Sequence, residues 1–369
     1  MSGGVDSSVA AALLADQGHE VIGVSMQLYD QTDGNRTFGS CCTLDDLHDA
    51  RRVAAALDIP HYILNFERQF DEQVVSNFVQ EYASGRTPLP CAHCNSDLKF
   101  STLLERACGF GADRVATGHY ARVDYDEASG RYVLRRGVDA AKDQSYFLFS
   151  LTQEQLARAV FPVGDRPKEA VREYARSRHL PVADKPDSQE ICFIPDNDYA
   201  KFVTAHAPNA ADAHGAIVDE SGRVLGRHEG VHRFTVGQRK GLGLSGTSGT
   251  SGTSGTSGRA PVYVLTLDAA DQRVVVGPKS SLERTTLTAS GVNWMACEPA
   301  GPLRVTAQIR HRHAPASATV RPIESGRSGL AGRGGHAELV FDAPQIAITP
   351  GQAVVFYQGD LVVGGGWID

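Results

Sequence analysis

Met1-Ser2-Gly3-Gly4-Val5-Asp6-Ser7-Ser8 opens the chain, and the apolar run Val9 to Leu14 follows it. The run reads as the start of a helix. Two glycines let the backbone approach a ligand closely, and small hydroxyl residues stand where the helix begins. Unpaired amide N–H groups and the positive end of the helix dipole then face one point, which suits a pyrophosphate. No lysine follows the second glycine and G-x-x-x-x-G-K-[ST] is absent, so this is not a Walker loop. Without a ligand, the same residues would be a Gly-Gly turn capped by Ser or Asp.

The residues beyond the loop set the fold class. Val21 to Met26 reads as a buried strand, Leu44 to Leu57 as a helix, His61 to Phe66 as a strand and Phe70 to Tyr82 as a helix. Arg114 to Tyr120 has the pattern of a strand ending in a functional loop. Strands alternating with helices of this size predict an α/β fold with a doubly wound parallel sheet, its ligand crevice at the strands' carboxyl ends. A phosphate loop in such a sheet follows a hydrophobic strand, usually a central one, yet only Met1 precedes this loop. Either the true chain starts about ten residues upstream or the strand is absent. A missing first strand is the favoured reading, and it would leave a slot in the centre of the sheet.

At 369 residues the chain supports two or three domains. A hydrophobic fraction of 41% with 21% charged residues is ordinary for a globular protein. No apolar run has the length of a membrane span and no signal peptide precedes the loop, which predicts a cytoplasmic protein without a membrane partner. The net charge of −7 weighs mildly against a general nucleic-acid binder, DNA included, although an average can hide local patches. Seven cysteines are too few for a disulfide scaffold in a chain this long. Vicinal Cys41-Cys42, Cys108 and Cys297 read as packing residues.

Cys91-Ala92-His93-Cys94 is the second stretch that carries chemistry. A Cys-x-x-Cys in a loop can be half a zinc site, a redox pair or part of an iron–sulfur site. A structural zinc finger would want a second such pair, and none exists. The remaining well-placed cysteine is Cys192, in Asp187-Ser188-Gln189-Glu190-Ile191-Cys192-Phe193-Ile194. Three cysteines meeting at a nucleotide crevice imply sulfur chemistry or a three-thiolate cluster with one open iron.

The string S-G-G-x-D-S resembles the PP-loop of ATP pyrophosphatases, which cut ATP between its α and β phosphates and leave an adenylated substrate. Several more segments match one family within that group, and in its order. They are Gly85-Arg86-Thr87-Pro88 with Cys94-Asn95, Thr117-Gly118-His119-Tyr120, Lys142 to Leu148, Ile191-Cys192-Phe193-Ile194, Gly237 to Gly243 and Thr349-Pro350-Gly351-Gln352. Across essentially its whole length the chain resembles the tRNA-specific 2-thiouridylases (MnmA type). The resemblance implies ATP with Mg²⁺ held by Ser2, Gly3, Gly4, Val5, Asp6 and Ser7, with Met26 and Gly118 near the adenosine. It implies adenylation of the C2 oxygen of a wobble uridine, turning a poor leaving oxygen into a good one. Cys192 would carry a persulfide from a cysteine desulfurase or a relay protein. That sulfur, directly or after attack by Cys94 frees it as hydrosulfide, would displace AMP. Cys94, at the family's nucleophile position, would close a disulfide with Cys192.

The resemblance also implies tRNA contacts at Lys142, Asp143 and Gln144, at Arg310 and His311, and around the target base at Leu89, Pro90 and Cys91. Two departures matter. Some family members have Asp at position 91, where it can act as acid or base. With Cys91 here, a [4Fe–4S] cluster held by Cys91, Cys94 and Cys192 is an alternative, its open iron binding the sulfur. The family usually has Asn-Pro where this chain has Leu89-Pro90, and Leu89 cannot make a polar contact to a base.

Two arginine-rich stretches provide the basic patches a tRNA needs. Arg223, Arg227, Arg233, Arg239 and Lys240 face one acid, Glu229, and six arginines between Arg304 and Arg333 face only Glu324. Gly241-Leu242-Gly243-Leu244-Ser245-Gly246 satisfies G-x-G-x-x-G but runs into Ser-Gly-Thr repeats, which cannot form the helix a dinucleotide site requires. The repeat, Ser245 to Gly258, is a low-complexity linker spanning roughly 20 Å on average. Short runs such as Pro261 to Leu265, Arg273 to Val276, Leu303 to Arg310, Ala337 to Phe341 and Gln352 to Tyr357 predict a small β-barrel. The expected organisation is a PP-loop domain over 1–195, a small linking domain that contacts tRNA over 196–258, and a C-terminal β-barrel over 259–369. Two rival readings are a different PP-loop ligase, which would not need Cys94 and Cys192, and an RNA-binding module with a structural metal, which would not need the loop.

Overall fold

The computed structural model describes residues 1–29, 43–187, 191–194, 198–207, 213–244, 260–323 and 335–369. Cys41-Cys42, the Ser-Gly-Thr repeat, Ser188 to Glu190 and the arginines at 327 and 333 lie outside the described residues.

The amino-terminal part alternates as the sequence predicts. Helix α1 (Val5–Asp16) leads into strand β1 (Gly23–Gln27), helix α2 (Leu44–Ala56) and strand β2 (His61–Asn65). Strands β1 and β2 pair in parallel, Gly23 opposite His61 through Gln27 opposite Asn65. Thr43 and Asp46 form a capping box that starts α2, each side chain accepting from the other's backbone N–H. Next come the short β3 (Val115–Ala116), the hairpin β4 (Ala121–Asp126) and β5 (Arg131–Arg136), and β6 (Ala159–Val160). β3 and β6 form a second parallel pair, separate from the first. Met1 lies against β1: its amino group donates to the Val24 carbonyl, and the Ser25 hydroxyl donates to the Met1 carbonyl at 2.6 Å.

A four-stranded sheet, in the order β8-β7-β10-β9, contains β7 (Gly215–Asp219), β8 (Val224–His228), β9 (Tyr263–Asp268) and β10 (Arg273–Gly277). The runs around Val264 and Val274 are therefore not barrel strands, as the sequence led us to expect. Alternating Val274 and Val276 bury with Ile217 and Val264 in a core of their own, so hydrophobic complementarity binds β9 and β10 to β7.

The barrel consists of β11 (Glu283–Trp294), β12 (Leu303–Gln308), β13 (Ala316–Ile323), β14 (Gly335–Ile346), β15 (Ala353–Gln358) and β16 (Leu361–Ile368). Pairing runs β11-β14-β13-β12-β15-β16, and a β11–β16 ladder closes the ring. Closure removes the exposed edges that an open antiparallel sheet would present. The β4–β5 hairpin joins the outside of this barrel through Leu361 opposite Arg135. Asp360 locks the junction, accepting from Arg122 at 2.7 Å and from Arg135 at 2.8 Å. No helix among the described residues is long and apolar enough to cross a membrane.

Candidate functional site

The opening loop has the geometry of an anion cradle. Gly3 is in the left-handed region (φ 67°), and a Cβ there would lie 2.2 Å from the Asp46 carbonyl oxygen at the start of α2. Only glycine fits that turn. Gly4 is the N-cap of α1 and no side chain caps the helix. Ser7 and Ser8 instead turn their hydroxyls onto the Gly4 carbonyl, at 3.3 and 2.8 Å. The first-turn amides are thus not capped from within, which is the arrangement that favours an anion. Gly118, at the carboxyl end of β3, packs on the same turn: a Cβ there would stand 2.6 Å from Asp6 C and Ser7 N.

Asp6 is the entry to a charged network that the sequence did not reveal. It accepts from Lys168 Nζ at 2.8 and 2.9 Å and from the Tyr120 hydroxyl at 2.8 Å. Burial and the neighbouring Asp6 charge push the Tyr120 phenol up, so it remains a proton donor. Lys168 begins the helix Lys168–Ser177 and also meets Asp187 at 2.8 Å. Asp187 gathers Lys142 at 2.7 Å and Arg172 at 2.8 Å as well. Burial raises the Asp187 pKa, but hydrogen bonds and charge from Lys142 and Lys168 together outweigh it and hold the group at about 2. Lys185, two residues earlier, reaches Asp46 and Asp49 of α2, each at 2.7 Å. The segment leading towards Cys192 is therefore pinned on both sides of the cradle.

A pH signature follows. The Asp187 carboxyl is depressed on folding, so its contribution is fully present above its unfolded value near 4. That contribution disappears as pH falls towards 2. Asp187→Asn should lower stability by about 2 kcal/mol near neutral pH and by progressively less below pH 4. Urea unfolding of both proteins at pH 7 and pH 3 checks this; an equal gap at both pH values would refute it.

Cys91 and Cys94 lie on one short helical stretch, Pro90–His93 continuing as a π-helix over Cys94–Thr102. Widened turns of this kind recur at functional sites. Cys94 is 8% exposed, whereas Cys91 is exposed. Cys94 belongs to a large apolar cluster, and Met26 and Cys192 pack against that same cluster. Phe193, next to Cys192, anchors its neighbour edge-on against Phe70 and Phe78. Both thiols and the carboxyl end of β1 thus share one core. Among the described residues no three His, Cys, Asp or Glu side chains gather closely enough to hold a metal ion. Cys91, Cys94 and Cys192 do not form a three-thiolate set in this conformation.

The barrel touches this helix directly. His93 stacks on Trp367 of β16 (4.7 Å, 2° between planes) and hydrogen-bonds Asp97 at 3.0 Å. Gln352 donates to the carbonyls of Thr87 and Pro88, both at 3.1 Å, and Thr87 N–H donates to the Pro350 carbonyl at 2.8 Å. Arg86 reaches the Ile368 carbonyl at 3.0 Å. Leu89 and Pro90 are buried beneath this lock.

The segments around Lys142 and Arg310 adjoin. The His311 ring lies 4.4 Å from Phe147, and Gln308 donates to the carbonyls of Arg310 and His311 while accepting from Arg136. Asp143 turns inward, accepting from Arg136, Gly137 N–H and Ser145. Gln144 accepts from Tyr120 N–H at 3.0 Å. His311 and Arg312 are the exposed residues of this surface, and the half-exposed Lys142 pairs with Asp187. The wider basic patches are weaker than composition suggests. Arg223, Arg233, Arg304 and Arg321 each pair with a carboxylate, at Asp219, Glu229, Asp342 and Glu338. His119 is half-buried beside Phe100 and Phe161; burial, aided by the Lys99 charge, pushes its pKa well down and keeps the ring neutral.

Comparison with known families gives three matches in sequence order. A family model described as tRNA methyl transferase HUP domain matches residues 1–196, one described as tRNA methyl transferase PRC-barrel domain matches 200–278, and one described as aminomethyltransferase beta-barrel domain matches 284–368. Among curated proteins, the chain is 50% identical to the tRNA-specific 2-thiouridylase MnmA of Geotalea uraniireducens, over 100% of this chain and 93% of that protein. It is 50% identical to the protein of that name from Acidobacterium capsulatum and 51% identical to that from Solibacter usitatus, covering 97% and 98% of those proteins and all of this chain.

Proposed function

The chain belongs to the tRNA-specific 2-thiouridylase family, and from that membership we infer that it places sulfur on C2 of a uridine in tRNA, at the expense of ATP. One observation favours this over another PP-loop ligase: Cys94, Cys192 and the β1 end beside the cradle pack against one core. A ligase joining a carboxylate to an amine has no use for two thiols there.

ATP lies along Ser2, Gly3, Gly4, Val5, Asp6 and Ser7, with Met26 and Gly118 towards the adenosine. Asp6, partly open to solvent at the cradle, is the carboxylate suited to Mg²⁺, which supplies neutralising charge on the phosphates when bound. The uridine C2 oxygen attacks the α phosphorus and pyrophosphate leaves. A cysteine desulfurase or persulfide relay protein loads Cys192 as its persulfide. Cys94 thiolate attacks the Cys192 sulfur, forming the Cys94–Cys192 disulfide and releasing hydrosulfide, which displaces AMP from C2. An external dithiol supplies two electrons to restore both thiols. Leu89, Pro90 and Cys91 border the target base, and Lys142, Asp143, Gln144, Arg310 and His311 form the surface towards the rest of the tRNA. The enzyme works in the cytoplasm, where tRNA, ATP and thiol reductants are present.

Pyrophosphate release from ATP, measured with and without tRNA, tests the reading. Unmodified tRNA should stimulate release and fully 2-thiolated tRNA should not. Release that ignores tRNA would overturn it. A cluster mechanism predicts iron in the wild-type protein that Cys192→Ser loses; the persulfide mechanism predicts no iron in either.

A further inference from the structure

We propose that Lys168 is a polyphosphate-contacting residue of this site and that Asp187 positions it. The proposal rests on the ATP reading above. Lys168, only 8% exposed, is the one buried lysine or arginine among the described residues. Burying an ammonium is costly unless it is paired, and Lys168 is paired twice, with Asp6 and with Asp187. Its chain position, 162 residues beyond Asp6, shows that tertiary structure delivers it to the first turn of α1.

Charge balance makes the case. A cradle containing Asp6 and Asp187 alone would repel a polyphosphate. Lys142, Lys168 and Arg172 converge on those two carboxylates, and Asp139 accepts from the Lys168 backbone N–H at 2.9 Å, so three cations balance three carboxylates. Asp6, with its side chain 31% exposed, leaves the Lys168–Asp6 pair reachable from the cradle. Lys168 can therefore exchange Asp6 for phosphate oxygens while Asp187 keeps hold of it. Asp187 accepts from three cations at 2.7–2.8 Å, an arrangement that leaves little freedom to move. This supplies from the helix Lys168–Ser177 the positive charge that the opening loop lacks. A purely structural role, tying that helix to α1, is the competing explanation.

Calorimetric binding to the full chain separates them, with ATP, inorganic pyrophosphate and AMP as probes. Lys168→Met should weaken ATP and pyrophosphate by roughly 10- to 100-fold, as expected for losing a charge-assisted contact, while AMP changes less than about twofold. Lys168→Arg should restore most of the ATP affinity. A structural role predicts that ATP and AMP weaken together, or neither does, and either pattern overturns the proposal. Wild-type protein that binds no ATP would instead refute the ATP reading itself. For Asp187, the cost of Lys168→Met to pyrophosphate binding should shrink at least about threefold in an Asp187→Asn background; additive costs would refute the positioning role.

Discussion

Cys94→Ser is expected to reduce tRNA thiolation by at least about 10³-fold, the loss typical of removing a covalent nucleophile, while tRNA binding stays within about twofold. Serine is close to cysteine in size, and Cys94 sits among Leu98, Phe100 and their neighbours, so the substitution disturbs the core little. Only the thiolate is lost, and a serine hydroxyl neither attacks a persulfide nor forms the disulfide. Cys192→Ser should fail to the same extent through loss of the sulfur carrier. Thiolated nucleoside measured by chromatography after tRNA digestion gives the first readout, and gel-shift binding the second. A Cys94→Ser protein that still thiolates at more than a tenth of the wild-type rate would remove Cys94 from the reaction. Single-turnover assays add a finer check. Pyrophosphate release should survive in Cys94→Ser, because adenylation precedes the thiol step.

The sequence carried the cradle and the thiols plainly because those residues are consecutive or nearly so: Ser2 to Ser7 on one turn, Cys91 and Cys94 on one helix. The parallel β1–β2 pair and its flanking helices were legible for a similar reason, since each is a short apolar or helix-periodic run within one window of sequence. What stayed hidden is what long-range packing creates. Lys168, Arg172 and Asp187 look like surface charges on a polar helix and a loop, and only the fold brings them to Asp6. The pairing of β10 with β7 and of β9 with β10, rather than with the barrel, depends on which apolar faces meet. Composition also overstated the basic patches, because cross-strand carboxylates such as Asp342 and Glu338 lie far off in sequence from the arginines they pair with.

Gly118→Ala is expected to raise the KM for ATP about 100-fold, a loss of the size produced by displacing a site by about 1 Å. Gly118 is not in the left-handed region, so the backbone alone would accept alanine. The constraint is contact. The added methyl carbon would stand 2.6 Å from Asp6 C and Ser7 N, both backbone atoms of the turn that forms the cradle. Either α1 retreats or the loop after β3 does, and both choices spread the cradle. Overpacking of this kind also costs about 1–3 kcal/mol. Isothermal titration with ATP, together with a thermal melt, separates the two effects. An unchanged ATP affinity would show that the turn can yield without harm. Affinity for tRNA should hold, because the 310–312 turn is held by Gln308 and not by the cradle.

The grip of Arg86 on the Ile368 carbonyl, and of Thr87 on Pro350, ties the stretch that leads into Cys91 and Cys94 to strand β16 and the turn before β15. Strand β16 must therefore be in place before that stretch finds all of its holders. Loss of β16 would loosen the helix that carries Cys91 and Cys94, far away along the chain.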